Sequence, residues 1–170
     1  ANPGIAYDGH PAKVKVAVTD DGSGKLAATA TVEDGTFTNR YAMGTVDFDA
    51  AAGLQIVKNM TGRAIAKDAF SFTMKGEDAE SVAKLNGGRE LTVGTAGAPL
   101  VGNTATEMLP VATKLSFTQD DAGKTYRYTV FETDGGKLID GVTYDGAKHE
   151  LAFAVADGGS GVLEVAVSLD

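Results

Sequence analysis

The chain of 170 residues has 23 acidic and 15 basic side chains, a formal net charge of −8 and no cysteine. It shows no basic face for nucleic acid, it excludes a disulfide framework, and no apolar run approaches membrane-spanning length. Small and β-branched residues dominate, and 22 glycines punctuate the chain. This pattern predicts an all-β sandwich of short strands joined by tight turns.

The first forty residues predict four short strands, over residues 4–9, 13–18, 25–32 and 35–41. In the last of them Phe37, Asn39 and Tyr41 share one face. Residues 19–24 contain Asp-Asp-Gly-Ser-Gly, which lacks the ligand spacing of an EF-hand and therefore predicts a hairpin turn. His10 and His149 stand in no metal-ligand pattern, so we expect surface histidines, no metal site and no cofactor.

The middle of the chain predicts further strands and one short helix. Residues 46–58 predict a strand broken near residues 50–53, and residues 69–74 alternate with Phe70, Phe72 and Met74 inward. Helical spacing and acidic residues in the first turn predict a helix over residues 77–85. Residues 91–110 are rich in Gly, Thr and Ala, which predicts a long loop insertion. Residues 114–117 predict another strand.

The strongest strand signal covers residues 125–133, where aromatic and β-branched residues alternate with period two. If Tyr126, Tyr128 and Val130 face the core, Glu132 faces it too. A buried carboxylate without a partner is costly, so it must be neutralised, paired or used. The alternative is that Phe131 faces inward and Glu132 is a surface acid.

An internal repeat links the two ends of the chain. Residues 141–146 match residues 4–9 at an offset of 137, and the match continues without a gap to Leu163 on Leu26. The chain therefore spans about one and a quarter repeats. At this offset, the counterpart of Asn39 falls six residues beyond Asp170.

Several short motifs now stand in a characteristic order: residues 56–63 around Lys58, residues 126–132 around Glu132, residues 37–41 around Asn39, the strand at 70–72 and the two Tyr-Asp-Gly turns. Together they resemble the isopeptide-linked pilin domain of Gram-positive backbone pilins, over nearly the whole chain. The resemblance implies an immunoglobulin-like β-sandwich of the CnaB-related type. It also implies Lys58 as nucleophile, Glu132 as proton-shuttling acid and Asn39 as the acceptor type.

The chemistry that this resemblance implies is a single self-modification, so the domain would not be an enzyme with turnover. A lysine amine attacks only when neutral, which burial favours. A protonated glutamic acid can polarise the asparagine carbonyl and then help ammonia to leave. The alternatives are that Lys58 is a surface strand lysine and that Asn39 is an ordinary turn or edge asparagine.

Asn39 precedes Lys58, whereas in the family the paired asparagine follows its lysine within one domain. We therefore predict that residues 1–41 are the C-terminal part of a preceding repeat or a strand donor, that residues 42–45 are a linker, and that residues 46–170 are a sandwich lacking its last strand. Either Lys58 stays unlinked, or the strand at 37–41 is borrowed within the chain or between chains.

These features favour a structural stalk module of a pilus or adhesin outside the cell, anchored to the cell wall. The strand-like run that ends at Asp170 favours a piece of a longer exported protein over a cytosolic one. Expected partners are neighbouring repeats, a second chain in strand exchange, or a host-surface ligand. Two alternatives are a ligand-binding adhesin module that uses residues 91–110, and an engineered ligation scaffold completed by a strand-donating peptide.

Overall fold

The computed structural model describes residues 3–49 and 53–170, and the chain divides into two compact units, Ala1–Ala42 and Met43–Asp170. We refer to them as the first and second unit. Both consist mainly of antiparallel strands, which confirms the predicted all-β fold. The strands of the first unit are β1 (Ile5–Ala6), β2 (Lys13–Asp20), β3 (Leu26–Glu33) and β4 (Arg40–Tyr41). No helix among the described residues is long and apolar enough to cross a membrane.

In the first unit β2 pairs with β3 and β1 pairs with β4. The turn between β2 and β3 is held by Asp20 and Asp21, whose Oδ1 atoms accept hydrogen bonds from the main-chain N–H groups of Gly22 and Ser23 at 2.9 and 2.8 Å. Gly22 has φ of 77°, a left-handed conformation that favours glycine. The predicted hairpin turn is therefore confirmed.

One face of the β2–β3 hairpin is apolar and exposed. Val14, Val16 and Val18 are 58 to 63% exposed, and on β3 Leu26 and Val32 are 72% and 62% exposed. At the repeat offset of 137, Val16 corresponds to Phe153, which is fully buried in the second unit. The same pattern of apolar residues thus forms a core in one unit and an exposed face in the other.

The second unit contains the larger assembly. Its elements are β5 (Val46–Asp49), β6 (Gln55–Thr61), β7 (Ser71–Gly76), α1 (Ala79–Lys84), β8 (Leu91–Gly94), β9 (Thr104–Pro110), β10 (Lys114–Phe117), β11 (Thr125–Glu132), β12 (Leu138–Ile139), β13 (Val142–Thr143), β14 (Lys148–Asp157) and β15 (Leu163–Leu169). Five strands form one sheet in the order β15-β14-β11-β7-β8, and β5–β10, β6–β9 and β12–β13 form separate pairs. The helix predicted over residues 77–85 is present as α1, capped by Asp78.

One prediction for this unit needs correction. Residues 91–110 are not a loop insertion: β8 and β9 take up both ends, and only residues 95–103 connect them. Strand β9 forms because alternate side chains, Ala105, Glu107 and Leu109, are buried against the rest of the unit. The broken strand predicted over residues 46–58 is present as β5 and β6, which pair with β10 and β9 respectively. Residues 50–52 of the predicted break lie outside the described residues.

The core of the second unit has two hydrophobic clusters. The larger cluster is centred on Phe153, whose ring lies 5.0 Å from that of Phe48, 5.8 Å from that of Tyr128 and 6.1 Å from that of Phe117. The smaller cluster includes Ile65, Phe70, Phe72, Ala105, Leu109 and Val142. Strand β11 carries Tyr126 and Tyr128 into the larger cluster, as predicted.

A buried aspartate anchors the turn that leads into β11. Asp121 Oδ2 accepts hydrogen bonds from Lys84 Nζ at 2.6 Å and from the Thr118 N–H at 2.7 Å, and Oδ1 accepts from the Tyr126 hydroxyl. Burial alone would raise the pKa of Asp121, but these hydrogen bonds outweigh it and lower the pKa to about 2.

Because the pKa of Asp121 is lowered, we expect part of the free energy of unfolding to be lost in acid. Because the folded pKa is below the unfolded value, the stabilisation is complete above about pH 4 and is lost as the pH falls towards 2; it amounts to about 2 kcal/mol. We expect Asp121→Asn to lower the free energy of unfolding at pH 6 and to flatten its dependence on pH between 4 and 2. Urea titrations at stepped pH test this, and an unchanged slope in the variant would contradict it.

Candidate functional site

Strand β11 places the carboxylate of Glu132 inside the second unit. Tyr126, Tyr128 and Glu132 are buried while Thr125 and Arg127 are exposed, because the strand has a period of two. The strand lies between β7 and β14, so that both its edges are paired. The carboxylate is only 3% exposed at the residue level, and the orientation that we inferred from Tyr126 and Tyr128 is the one observed.

Strand β6 brings Lys58 to this carboxylate. Lys58 is 9% exposed, and its Nζ lies 2.9 Å from Glu132 Oε1 and 3.1 Å from Oε2, to which it donates a hydrogen bond. The same Nζ lies 4.2 Å above the centre of the Phe70 ring. The two predicted residues therefore meet as a buried ion pair beside an aromatic face, where water competes little for either charge.

A main-chain group that the sequence analysis did not identify also contacts Glu132. The Asp145 N–H donates a hydrogen bond of 2.7 Å to Glu132 Oε2, while Oε1 faces the Lys58 ammonium but accepts no hydrogen bond. A main-chain donor has no residue-type signature, so only the repeated Tyr-Asp-Gly turn could have drawn attention to it. One oxygen of the carboxylate thus remains able to accept a further hydrogen bond.

A second buried carboxylate, also missed, lies opposite Lys58. Glu107 on β9 pairs in register with Lys58 on β6, and it is 9% exposed. Its oxygens accept hydrogen bonds from the N–H groups of Ala96, at 2.6 Å, and of Gly97, at 3.2 and 3.3 Å. Its role in the structure is therefore to hold the connection between β8 and β9, and the alternation of Ala105, Glu107 and Leu109 could have revealed it.

A groove of about 380 Å³ opens beside the ion pair. Its lining joins Lys58, Glu132, Asp145 and His149 to apolar side chains that include Leu54, Ile56, Phe72, Met74, Val111, Val130 and Leu151. Among the described strands β6 pairs with β9 alone, so its other edge faces no neighbouring strand. The second unit thus has an open, mostly apolar groove with the Lys58–Glu132 ion pair at its wall.

The third predicted residue, Asn39, lies in the first unit just before β4. Its side-chain Oδ1 accepts a hydrogen bond of 3.1 Å from the Asp8 N–H, and the neighbouring Thr38 N–H donates to Asp8 Oδ2 at 2.9 Å. The pairing of Asn39 with Lys58 remains a prediction. Within residues 3–49 and 53–170, no group of three or more His, Asp or Glu side chains is arranged to hold a metal ion.

His10 is less isolated than its sequence context suggested. Its Nδ1 lies 2.6 Å from Asp8 Oδ1, its Nε2 lies 2.8 Å from the Asp34 carbonyl oxygen, and its ring stacks on Phe37 at 4.7 Å. Two hydrogen bonds raise the pKa of His10, and the bond with the Asp8 side chain has a larger effect than the bond with the Asp34 carbonyl. His10 therefore helps to hold the segment that carries Asn39.

Residues 1–42 and 54–170 of the chain match the family model of the Spy0128-like isopeptide containing domain (FctA). No curated protein and no solved structure matches the chain. The match covers most of the chain, and its two segments lie in the two structural units. Members are structural pilin domains and not a family of enzymes. The all-β fold and the match over nearly the whole length together show that this chain belongs to the Spy0128-like isopeptide containing domain family.

Proposed function

We propose that this chain is a load-bearing module of a cell-wall-anchored pilus or stalk, and that its second unit is built to form an isopeptide bond between Lys58 and an asparagine. The observation that carries this proposal is the buried contact of Lys58 Nζ with Glu132, at 2.9 and 3.1 Å. An ion pair of this kind adds little to stability compared with apolar residues of similar size. Family membership supports an extracellular structural role.

The ion pair can prepare the nucleophile without any external base. Transfer of one proton from Lys58 Nζ to Glu132 yields a neutral amine and a neutral acid, and apolar surroundings favour neutral forms over separated charges. The amine nitrogen then attacks the side-chain carbonyl carbon of asparagine, while the Glu132 proton polarises the carbonyl oxygen. The second proton of the Lys58 amine passes by way of the Glu132 carboxyl group to the asparagine nitrogen, the C–N bond to that nitrogen breaks, and it leaves as ammonia. The Lys58 nitrogen keeps one proton in the new amide, and Glu132 ends the reaction as a neutral acid.

The mechanical role follows from the product. A covalent bond between strands restricts the unfolded chain and contributes about 3–5 kcal/mol in the chain-entropy treatment developed for disulfides. Without cysteine the chain has no disulfide to serve this purpose. The same bond would carry tension across the sandwich, where hydrogen bonds alone would yield.

Intact mass spectrometry of the concentrated chain tests the proposal. We expect a species that is lighter by about 17 Da, the mass of ammonia, than the sequence requires. A deficit on the monomer indicates a bond within the chain, and a dimer with the same deficit indicates a bond between chains. Tandem mass spectrometry of a digest should place the link at Lys58 and Asn39.

Two variants complete this test. Lys58→Met/Glu132→Gln removes both charges together, so that neither is left buried alone, and it should show the full sequence mass. The control is Lys75→Met, because Lys75 is an exposed strand lysine whose Nζ lies 3.8 Å from Glu90 Oε1. This variant should still show the mass deficit of about 17 Da. Full sequence mass in the parent chain, after prolonged incubation at high concentration, would overturn the proposal.

A further inference from the structure

The first unit shows how an asparagine-bearing strand is held. The Asp8 N–H donates a hydrogen bond of 3.1 Å to Asn39 Oδ1, and Asp8 Oδ2 accepts one of 2.9 Å from the Thr38 N–H. Beside these contacts, β1 pairs with β4 through Ala6 and Arg40. A third hydrogen bond of 3.1 Å, from the His10 N–H to Asp8 Oδ1, closes the turn itself. We call this arrangement the aspartate turn.

The second unit carries the same aspartate turn at the repeat offset of 137. Asp145 corresponds to Asp8 and Ala147 to His10, and the Ala147 N–H donates to Asp145 Oδ1 at 2.9 Å. The Asp145 N–H, whose counterpart binds an asparagine oxygen, donates here to Glu132. In both units, therefore, the main-chain N–H of the aspartate in this turn donates a hydrogen bond to a side-chain oxygen. In the second unit this N–H lies beside the Lys58–Glu132 ion pair.

Strand β13, which precedes this turn, has an edge that corresponds to the edge of β1 that pairs with β4. Thr143 on β13 corresponds to Ala6 on β1. In the β12–β13 hairpin Ile139 pairs with Val142, and the Tyr144 N–H donates to the Lys137 carbonyl oxygen. Because hydrogen-bonding residues alternate in an antiparallel pair, the main-chain groups of Thr143 point away from β12. This is the edge that Ala6 uses to pair with Arg40.

We propose that the aspartate turn at Asp145 is the recognition element of the cross-linking site, and that it binds the Thr38–Asn39 pair of a second copy of this chain. The inference rests on the function proposed above. Transferred to the second unit, the contacts of the first unit place the asparagine Oδ1 at the Asp145 N–H, beside Glu132 and the ammonium of Lys58. Glu132 then yields this N–H to the asparagine, while the Thr38 N–H binds Asp145 Oδ2.

Two features indicate a second copy as the source of the strand. Residues 37–41 contain the Thr38–Asn39 pair that the aspartate turn of the first unit binds, and little strand pairing holds them: β4 has only two paired residues, and Phe37 is 55% exposed although its ring stacks on that of His10. The groove beside Lys58 is lined largely by apolar side chains, which suits the aromatic residues that flank Asn39. Formation of the amide would make the exchange irreversible.

A binding experiment isolates recognition from chemistry. The chain with Lys58→Met/Glu132→Gln cannot react, so it reports non-covalent docking alone. Isothermal titration with a synthetic peptide of residues 35–43 should give saturable binding. The peptide with Asn39→Ala loses the acceptor for the Asp145 N–H, and adding Asp145→Ala to the chain removes the acceptor for the Thr38 N–H. Each change should weaken binding by about tenfold.

Asp157→Ala is the matched control, because Asp157 also accepts a hydrogen bond from a main-chain N–H two residues on, at 2.7 Å, but does not line the groove. It should leave peptide binding unchanged. Sedimentation of the unreactive chain should show a concentration-dependent dimer that the peptide dissociates. Equal affinity of the Asp145→Ala variant would overturn the proposal, and a monomer at all concentrations would exclude the second copy as donor. A chain that cross-links without binding the peptide would leave the proposed function intact and refute only this inference.

Discussion

Replacing Glu132 by alanine should destabilise the unlinked chain by about 3–5 kcal/mol, because it leaves the Lys58 ammonium buried without a counter-charge. The lysine side chain is 11% exposed and that of the glutamate is 2% exposed, so water replaces little of the lost interaction. The Phe70 ring, 4.2 Å from Nζ, compensates only in part. The effect is measured by urea unfolding, monitored by near-ultraviolet circular dichroism, of unlinked protein, that is, protein whose measured mass equals the full sequence mass.

The matched double variant Lys58→Met/Glu132→Leu separates burial of a charge from loss of packing. It should recover most of the stability, because two apolar side chains of similar volume need no partner. If Glu132→Ala alone costs less than about 1 kcal/mol, the pair behaves like a surface salt bridge and solvent reaches it. That result would remove the physical basis for a self-activating lysine.

Phe153→Ala should have a comparable effect for a different reason. Phe153 is fully buried and its ring packs against those of Phe48, Phe117 and Tyr128, so truncation leaves a cavity and costs about 3–5 kcal/mol. The repeat supplies its own control: Val16 is the counterpart of Phe153 at the offset of 137 and is 58% exposed. Val16→Ala should change stability by no more than about 0.5 kcal/mol.

The same urea experiment measures both variants. A loss of more than about 2 kcal/mol for Val16→Ala would show that another surface covers the apolar face of the β2–β3 hairpin in solution, because an exposed valine has no core contacts to lose. A small effect of Phe153→Ala would instead show that the larger hydrophobic cluster can close around the missing ring.

Local periodicity predicted the elements whose signal lies in a single strand. The alternation in residues 125–132 places Tyr126, Tyr128 and Glu132 on one buried face, since a strand has a period of two wherever it packs. Strand β9 was missed because its buried face includes Glu107, and a glutamate among glycines, threonines and alanines looks like part of a loop. Its burial depends on the main-chain donors of Ala96 and Gly97, which no local pattern reveals.

The site could be predicted only where residue type carries the chemistry. Lysine and glutamate at positions 58 and 132 matched a family pattern, and the fold brings them to 2.9 Å. Asp145 contributes a main-chain N–H, which every residue except proline has, so its importance depends on position alone. The predicted pairing of Lys58 with Asn39 would join residues of different units or different chains, and local sequence carries no signal for which partner a strand takes.

The likeness of the two aspartate turns has a consequence for how a chain of many such repeats would assemble. A receptor that is the same in each repeat cannot distinguish its own strand from that of a neighbour, so fidelity would have to come from tethering. In such a chain of repeats, a strand of the adjacent repeat would have a millimolar effective concentration, and it would outcompete free copies until their concentration approaches that level. Cross-links between different molecules would therefore be rare at low protein concentration and frequent wherever the chains are concentrated.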